Sequence, residues 1–335
     1  MNNKKISQIG ERKLIRIFLD KRDKLLKKPD SIIFKSYYDD AALEVNQSRY
    51  TVLSTDMLIQ HTHFPRNMTY YQMGQKIVTV NVSDIIANNA IATSILISMA
   101  LPPDMTLAEF NELTDGILDK CVEYDVKLIG GDVNENDEII LSATTVGMDD
   151  KDIKFQSGIN NGDLIAITGP LGSPAAGLDL IYNDVDIPAE DKNDLITSIL
   201  EPSLPMDTFR LLHEYSSMIT SMTDITDGLA IELDNLREKN YNIGFEIHYN
   251  SIPYNNYLSL IAKENNKTIE DYILHFGEEF ELLLTINPKT YNKYKEIFSD
   301  KLFVIGKCNN SKKITLVKDS KKIPIEIKGY EHLKE

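Results

Sequence analysis

The sequence predicts a mixed α/β (α+β) chain of two domains, and three observations carry that expectation. Its 335 residues exceed what one core needs, at roughly 150 residues per domain. Short runs rich in β-formers alternate with helical-period segments through both halves. A charged break around Asp149–Asp152, in the run MDDKD, separates those halves, so domains are expected over residues 1–150 and 151–335.

In the first half, Leu14, Ile15, Phe18 and Leu19 fall at helical spacing within Glu11–Asp20, and a basic loop follows over Lys21–Asp30. Tyr50–Ser54 reads as a strand and Met73–Asp84 as a helix. Thr93–Leu101 reads as a strand that stops at Pro102-Pro103. Thr106–Tyr124 carries apolar residues three or four apart and reads as a helix. Val126–Ile129 is a strand expected to stop at Gly130-Gly131, and Ile139–Val146 is the next strand. In the second half a turn at Asn160–Asp163 leads to a strand over Leu164–Thr168. Tyr182–Asp194 reads as a polar loop, a helix starts in Asp224–Leu236, and Phe280–Ile286 and Lys301–Ile305 read as strands.

Composition narrows the function. Lys plus Arg is 36 and Asp plus Glu is 51, so the formal net charge is −15. That charge repels phosphate backbones and argues against nucleic acid as a partner. It leaves room for a phosphate-bearing small substrate, because bound cations can supply the positive charge. Cys121 and Cys308 are the two cysteines, too few for a disulfide framework, and a reducing compartment fits. The start, MNNKKISQIGERKLI, has no apolar signal core. The apolar stretch Ile85–Leu101 is broken by Asn88, Asn89 and three hydroxyl residues, so it reads as helix plus strand rather than a membrane span. A cytoplasmic location with no membrane partner is the expectation.

Acidic residues recur at the ends of apolar runs: Asp39-Asp40, Asp56, Asp84, Asp132, Asp224, Asp227, and Glu278, Glu279 and Glu281. Converging carboxylates repel one another unless cations neutralise them. Mg²⁺ takes such oxygen ligands and bridges to substrate phosphates, which suits phosphoryl transfer. Each also has a plain structural reading. Asp39-Asp40 and Asp132 are ordinary turn chemistry, and Asp224 or Thr226 is a ready helix cap. His61 and His63 alternate in HTHF, and with no Cys or third His nearby a loop in which one His meets ligand fits better than a zinc pair. Gly169–Gly177 only superficially resembles a dinucleotide loop, and P-loop, HRD and DFG signatures are absent.

Several motifs in order make the chain resemble the thiamine-monophosphate kinase family, within the superfamily of aminoimidazole ribonucleotide synthase. They are IGERKLI, DDAAL, STDML with His63-Phe64, NVSDIIANNA, LIGGD, the Ser157–Asp163 turn, TDITDGLA, GEEFELL and KGYEHL. The closing GYEHL favours that family over the hydrogenase-maturation and selenophosphate relatives. The resemblance implies ATP-dependent phosphorylation of thiamine monophosphate to thiamine diphosphate. By motif match, Asp40, Ser54, Thr55, Asp56, Asp84, Asp132, Asp224 and Asp227 would hold several Mg²⁺ ions. Gly131, Asp132, Gln156 and Thr226 would contact ATP, and His63, Glu278 and Tyr330 the thiamine substrate. The implied fold has two α/β domains, with N-terminal domains pairing in a homodimer around a shared β-barrel.

The chain departs from the family pattern at five places. Tyr38 stands for a Gly, Gln156 for an ATP-contacting Arg, Asn88-Asn89 for Met-Gly, Phe276–Phe280 for GGEDY, and Met206-Asp207 for Pro-Arg. Lys154 shares a face with Gln156 if that segment is extended, and is the expected compensating cation. Two other readings compete: a superfamily enzyme with another substrate, and a non-catalytic nucleotide-binding protein.

Overall fold

The computed structural model describes residues 13–17, 32–33, 41–46, 49–149 and 152–330. The expected first helix is seen as α1 over residues 13–17. The rest of that helix, the basic loop, Tyr38 and Asp39-Asp40 lie outside the described residues.

A six-stranded sheet comes first: β1 (Ile32–Ile33), β2 (Ala42–Asn46), β3 (Arg49–Ile59), β4 (Ile91–Leu101), β5 (Lys127–Glu135) and β6 (Ile140–Asp149), in the order β1-β2-β3-β6-β4-β5. Between its strands lie α2 (Gln60–His63), α3 (Tyr70–Ala87) and α4 (Leu107–Glu123). A seven-stranded sheet follows, from β7 (Leu164–Ile167), β8 (Ile219–Asp224), β9 (Gly244–His248), β10 (Leu282–Ile286), β11 (Phe303–Asn309), β12 (Ile314–Lys318) and β13 (Lys321–Pro324), ordered β13-β12-β9-β11-β7-β10-β8. Its helices are α5 (Ser173–Tyr182), α6 (Ala189–Leu200), α7 (Met206–Glu214), α8 (Leu229–Lys239), α9 (Leu258–Glu264), α10 (Ile269–Ile273) and α11 (Pro288–Tyr294).

Helix α3 sits at the centre. Thr69 and Gln72 close a reciprocal capping box at its start, which extends it three residues before the expected Met73. Gly74 lets it seat against α4, because a Cβ there would lie 2.1 Å from the Leu113 carbonyl oxygen. One side packs on β3, β4 and β6 and another reaches β8. Ile77, Val78, Ile85 and Ile86 join one core with Met222 of β8 and Leu282 and Leu284 of β10. Leu283 of β10 points to a second core with Ile165, Ile167 and Phe245. The second sheet is therefore covered on both faces, which explains the unbroken apolar run Leu282–Ile286.

Four expectations need correction. Strand β5 does not stop at Gly130-Gly131 but runs through to Glu135. The pair permits close approach to β4, since a Cβ on Gly131 would lie 1.8 Å from the Ile97 carbonyl oxygen, and the register shifts beside it. The polar stretch Tyr182–Asp194 contains the start of α6, whose first turn carries Glu190 and Asp191 where acids favour a helix start. Helix α8 begins at Leu229 after Gly228 rather than at Asp224, which ends β8. His61 and His63 belong to the short α2, not a loop. Among the described residues no helix is long and apolar enough to cross a membrane.

Candidate functional site

Asp56, Asp84 and Asp224 lie where α3 meets β3 and β8. On β3 the two-residue period turns Ser54, Asp56 and Leu58 toward the helices and leaves Thr55 and Met57 exposed on the other face. The Ser54 hydroxyl donates to the Asp84 carboxylate of α3. One residue earlier on α3, Ser83 donates to the Asp224 carboxylate. Thr226 also donates to Asp224, at 2.9 Å. Asn81 anchors β3 by accepting the Asp56 amide N–H at 3.1 Å. Adjacent serines and their carboxylates thus stitch the first sheet, α3 and the second sheet together.

Asp224 is 3% exposed, and burial pushes its carboxyl above the usual range, with the charge of Asp56 adding to the rise. Asp227 lies one turn beyond, and its amide donates to Glu232 at 3.3 Å. Glu232 is itself buried and pushed up to about 8, by burial first and then by Asp227 and Asp224. Neither Asp224 nor Thr226 caps α8, whose N-cap is Gly228 with no side-chain cap, so the plain capping reading is set aside.

The donors here are all hard oxygens, and a buried carboxyl of this kind needs a proton or a cation. In donor chemistry the set fits Mg²⁺. In geometry the carboxylates rest on hydroxyls, and among the described residues no three His, Cys, Asp or Glu side chains form a metal-holding group.

The second part of the site is the segment Phe276–Phe280. Gly277 lies against the Asp224–Asp227 loop, where a Cβ would sit 1.9 Å from the Thr226 carbonyl oxygen. The Glu278 amide donates to that same oxygen at 2.8 Å. Glu278 has φ +63°, a left-handed conformation that aims its side chain back toward α3. There its carboxylate meets the Lys76 ammonium, which also donates to the His63 carbonyl oxygen at 2.8 Å. The His63 ring accepts the Ile59 amide N–H at 2.9 Å. Gly329 packs on the Asp227 carbonyl and Ile231, which brings the exposed Tyr330 beside the same loop.

Three predicted residues stand apart. Thr55 turns its hydroxyl to Ala143, and Gly131-Asp132 sit on the fully exposed edge strand β5. Gly131 and Asp132 line an open cleft of about 450 Å³ with Ile97, Met99 and Leu118. Asp40 lies outside the described residues.

The departures from the family pattern have physical accounts. Asn89 takes the Gly place with φ +60°, a conformation Asn tolerates. Asn88 and Asn89 donate to the Lys154 and Asp152 carbonyl oxygens, pinning the segment between the sheets. Phe276 is not among the left-handed residues and packs against both cores, so the missing Gly costs no backbone strain. Gln156 is 3% exposed, donates to Thr223 at 3.0 Å and accepts from the Lys239 ammonium. Lys154 pairs with Asp152 at 2.7 Å, and the cation that meets Gln156 is Lys239. The Gly169–Gly177 segment is no phosphate cradle, because the Gly172 amide at the head of α5 donates to Glu279. Nothing in the structure explains Met206-Asp207.

Sequence reasoning missed Lys76, Ser83 and Glu232. The available signal was that Lys76 and Asp84 are the two charged side chains in all of α3, eight residues apart on one face.

Comparison with known proteins adds independent findings. Residues 38–148 match the family AIR synthase related protein, N-terminal domain. The chain is 29% identical to the thiamine-monophosphate kinase of Pyrococcus horikoshii, over 98% of both chains. It is 32% identical to that of Buchnera aphidicola subsp. Schizaphis graminum, over 91% of this chain and 94% of the other. A solved structure of AaThiL complexed with AMPPCP and TMP superposes with a TM-score of 0.82 at 26% identity, covering 97% of each chain.

Proposed function

This chain belongs to the thiamine-monophosphate kinase family, and from that premise we propose that it transfers the γ-phosphoryl group of ATP to thiamine monophosphate. The observation that carries the reading is the end-to-end likeness to AaThiL bound to AMPPCP, an ATP analogue, and TMP. A phosphate oxygen of the monophosphate bonds to the γ-phosphorus as the bond to the bridging oxygen breaks. ADP and thiamine diphosphate are the products.

Catalysis of this kind is positioning plus neutralisation of charge. Asp40, Ser54, Thr55, Asp56, Asp84, Asp132, Asp224 and Asp227 would hold Mg²⁺ ions, which when bound supply the charge neutralisation that acidic groups alone cannot. The Ser54–Asp84 and Ser83–Asp224 hydrogen bonds support rigid placement of those carboxylates on three separate elements. Gly131, Asp132, Gln156 and Thr226 are proposed to contact ATP, and His63, Glu278 and Tyr330 the thiamine moiety. A cationic thiazolium beside the Glu278 carboxylate is sound electrostatics.

Residues 1–150 and 151–335 are proposed as the two domains of a cytoplasmic homodimer. Support for pairing comes from the first sheet, whose edge strand β5 is exposed along its whole length. Leu128, Ile129 and Val133 on that edge, with Met57 and Leu96 on the outer sheet face, are exposed apolar side chains. An open apolar edge of this kind invites a second copy, and closure into a barrel would remove it. The site parts Gly131 and Asp132 would then lie at the subunit boundary.

The test is to incubate purified protein with ATP, Mg²⁺ and either thiamine monophosphate or free thiamine. Thiamine diphosphate from the monophosphate, and no phosphorylation of thiamine, is the expected result. Strong turnover of free thiamine, or none of the monophosphate, overturns the reading.

A further inference from the structure

We infer that Lys76 is a positioning residue for the acceptor substrate, acting through Glu278 and His63; this rests on the reading above that those two residues face thiamine monophosphate. Lys76 is 1% exposed, on a helix whose other charged side chain is Asp84. An ammonium is rarely buried that deeply unless it is paired. Here it meets two groups from different parts of the fold. The His63 carbonyl oxygen accepts at 2.8 Å from the end of α2, and the Glu278 carboxylate accepts from the second half of the chain. Glu278 keeps 27% of its side chain exposed, so one part of the carboxylate is held from behind while another faces outward.

The frame around the pair is stiff. Gly74 locks α3 on α4, and Gly277 locks the Glu278 segment on the Thr226 carbonyl. Lys76 therefore clips together two rigid bodies rather than following a mobile loop. The charge arithmetic also points this way. Unpaired, Glu278 would add another negative charge beside the Asp224–Asp227 loop and repel the phosphate of an incoming monophosphate. Paired with Lys76 it is neutral as a unit, yet it still offers an oriented oxygen to a cationic ring. Lys76 itself is too buried to reach substrate, which makes it a positioning residue and not a contact.

The test compares Lys76→Met, Lys76→Arg, Glu278→Gln and the double variant Lys76→Met/Glu278→Gln in the full-length enzyme. Lys76→Met should raise the KM for thiamine monophosphate by roughly tenfold or more, the scale of one hydrogen bond to a charged group, while the KM for ATP stays unchanged. Lys76→Arg should recover part of the loss. The double variant should lose no more than the worse single variant, because both remove the same pair. Calorimetric ATP affinity should be the same in all four. A loss spread equally over both substrates, or additive losses in the double variant, would mean a purely structural Lys76 and overturns the inference. If Lys76→Met does not fold, Lys76→Arg and Glu278→Gln decide: an unchanged KM for the monophosphate in both rejects it. Wild-type enzyme that makes no thiamine diphosphate rejects the underlying reading instead, and the inference with it.

Discussion

The seam between α3 and β8 and the open edge at β5 carry the same kind of residue in opposite surroundings. Asp84 and Asp132 each close an apolar run, after Asn81-Val82-Ser83 and after Gly130-Gly131. Asp84 is held by a serine of another element, beside a carboxyl that is itself buried. Asp132 stands on a strand exposed along its length. The seam joins three elements of the chain, whereas the edge carries exposed apolar side chains. Identical sequence signals thus mark one carboxylate packed between elements and one on an exposed edge.

The largest expected effect lies at the seam. Asp84→Asn keeps the shape and the Ser54 hydrogen bond while removing the charge. Turnover should fall by roughly a hundredfold or more, the scale of losing one preorganised electrostatic contact at a phosphoryl-transfer site. Circular dichroism and the melting temperature without Mg²⁺ should be unchanged or slightly raised, since one source of repulsion is gone. Near-wild-type turnover would return Asp84 to a plain helix residue.

At the edge, a charge on the exposed apolar strand should act through assembly. Val133→Lys is expected to give a monomer in light scattering and to lose most turnover, while the melting temperature of the isolated chain changes little. A Val133→Lys protein that stays dimeric removes the edge from the interface. One that is monomeric and fully active shows the seam to be sufficient.

Much of the seam was legible in the sequence because a carboxylate at a strand end is a local feature. Ser54, Asp56, Asp84, Asp224 and Thr226 share the seam, and Glu278 bonds to the Thr226 carbonyl beside it. What was not legible depends on long-range contact. Lys76 reads as one cation in an apolar helix, and only the fold puts Glu278, 202 residues away in sequence, against it. Likewise Gly131 reads as a turn glycine until β4 is seen passing beneath it. The two-residue period of β3 separates Thr55 from its neighbours, a distinction the motif alone does not make. The start of α6 was hidden because its polar first turn looks like a loop.

Smaller effects sharpen how completely the second half is filled. Gln156→Arg should not strengthen the nucleotide contact proposed for Gln156, because the Lys239 ammonium already meets that side chain. A buried guanidinium would meet the half-buried Lys239 ammonium, so stability should drop by about 2–4 kcal/mol, read as a lower urea midpoint. Adding Lys239→Gln should recover it. A lower KM for ATP at undiminished stability in the single variant contradicts this account.

An effect on stability alone concerns Glu281, which accepts from Thr168 and whose carboxyl burial raises to about 7. Its folded value lies above the unfolded one, so no penalty exists below about pH 4.5 and stability is lost as pH rises toward 7. Glu281→Gln should therefore come close to wild type near pH 4.5 and exceed it by about 3 kcal/mol at pH 8. A constant difference across that range would show that the carboxyl is not perturbed by folding.

The most direct test of the central claim follows both products of one reaction. With ATP, thiamine monophosphate and Mg²⁺, ADP and thiamine diphosphate should appear in equal amounts, and chelation of the metal should abolish both. ADP release without thiamine diphosphate, or thiamine diphosphate formed undiminished under chelation, contradicts a metal-assisted transfer at the α3–β8 seam.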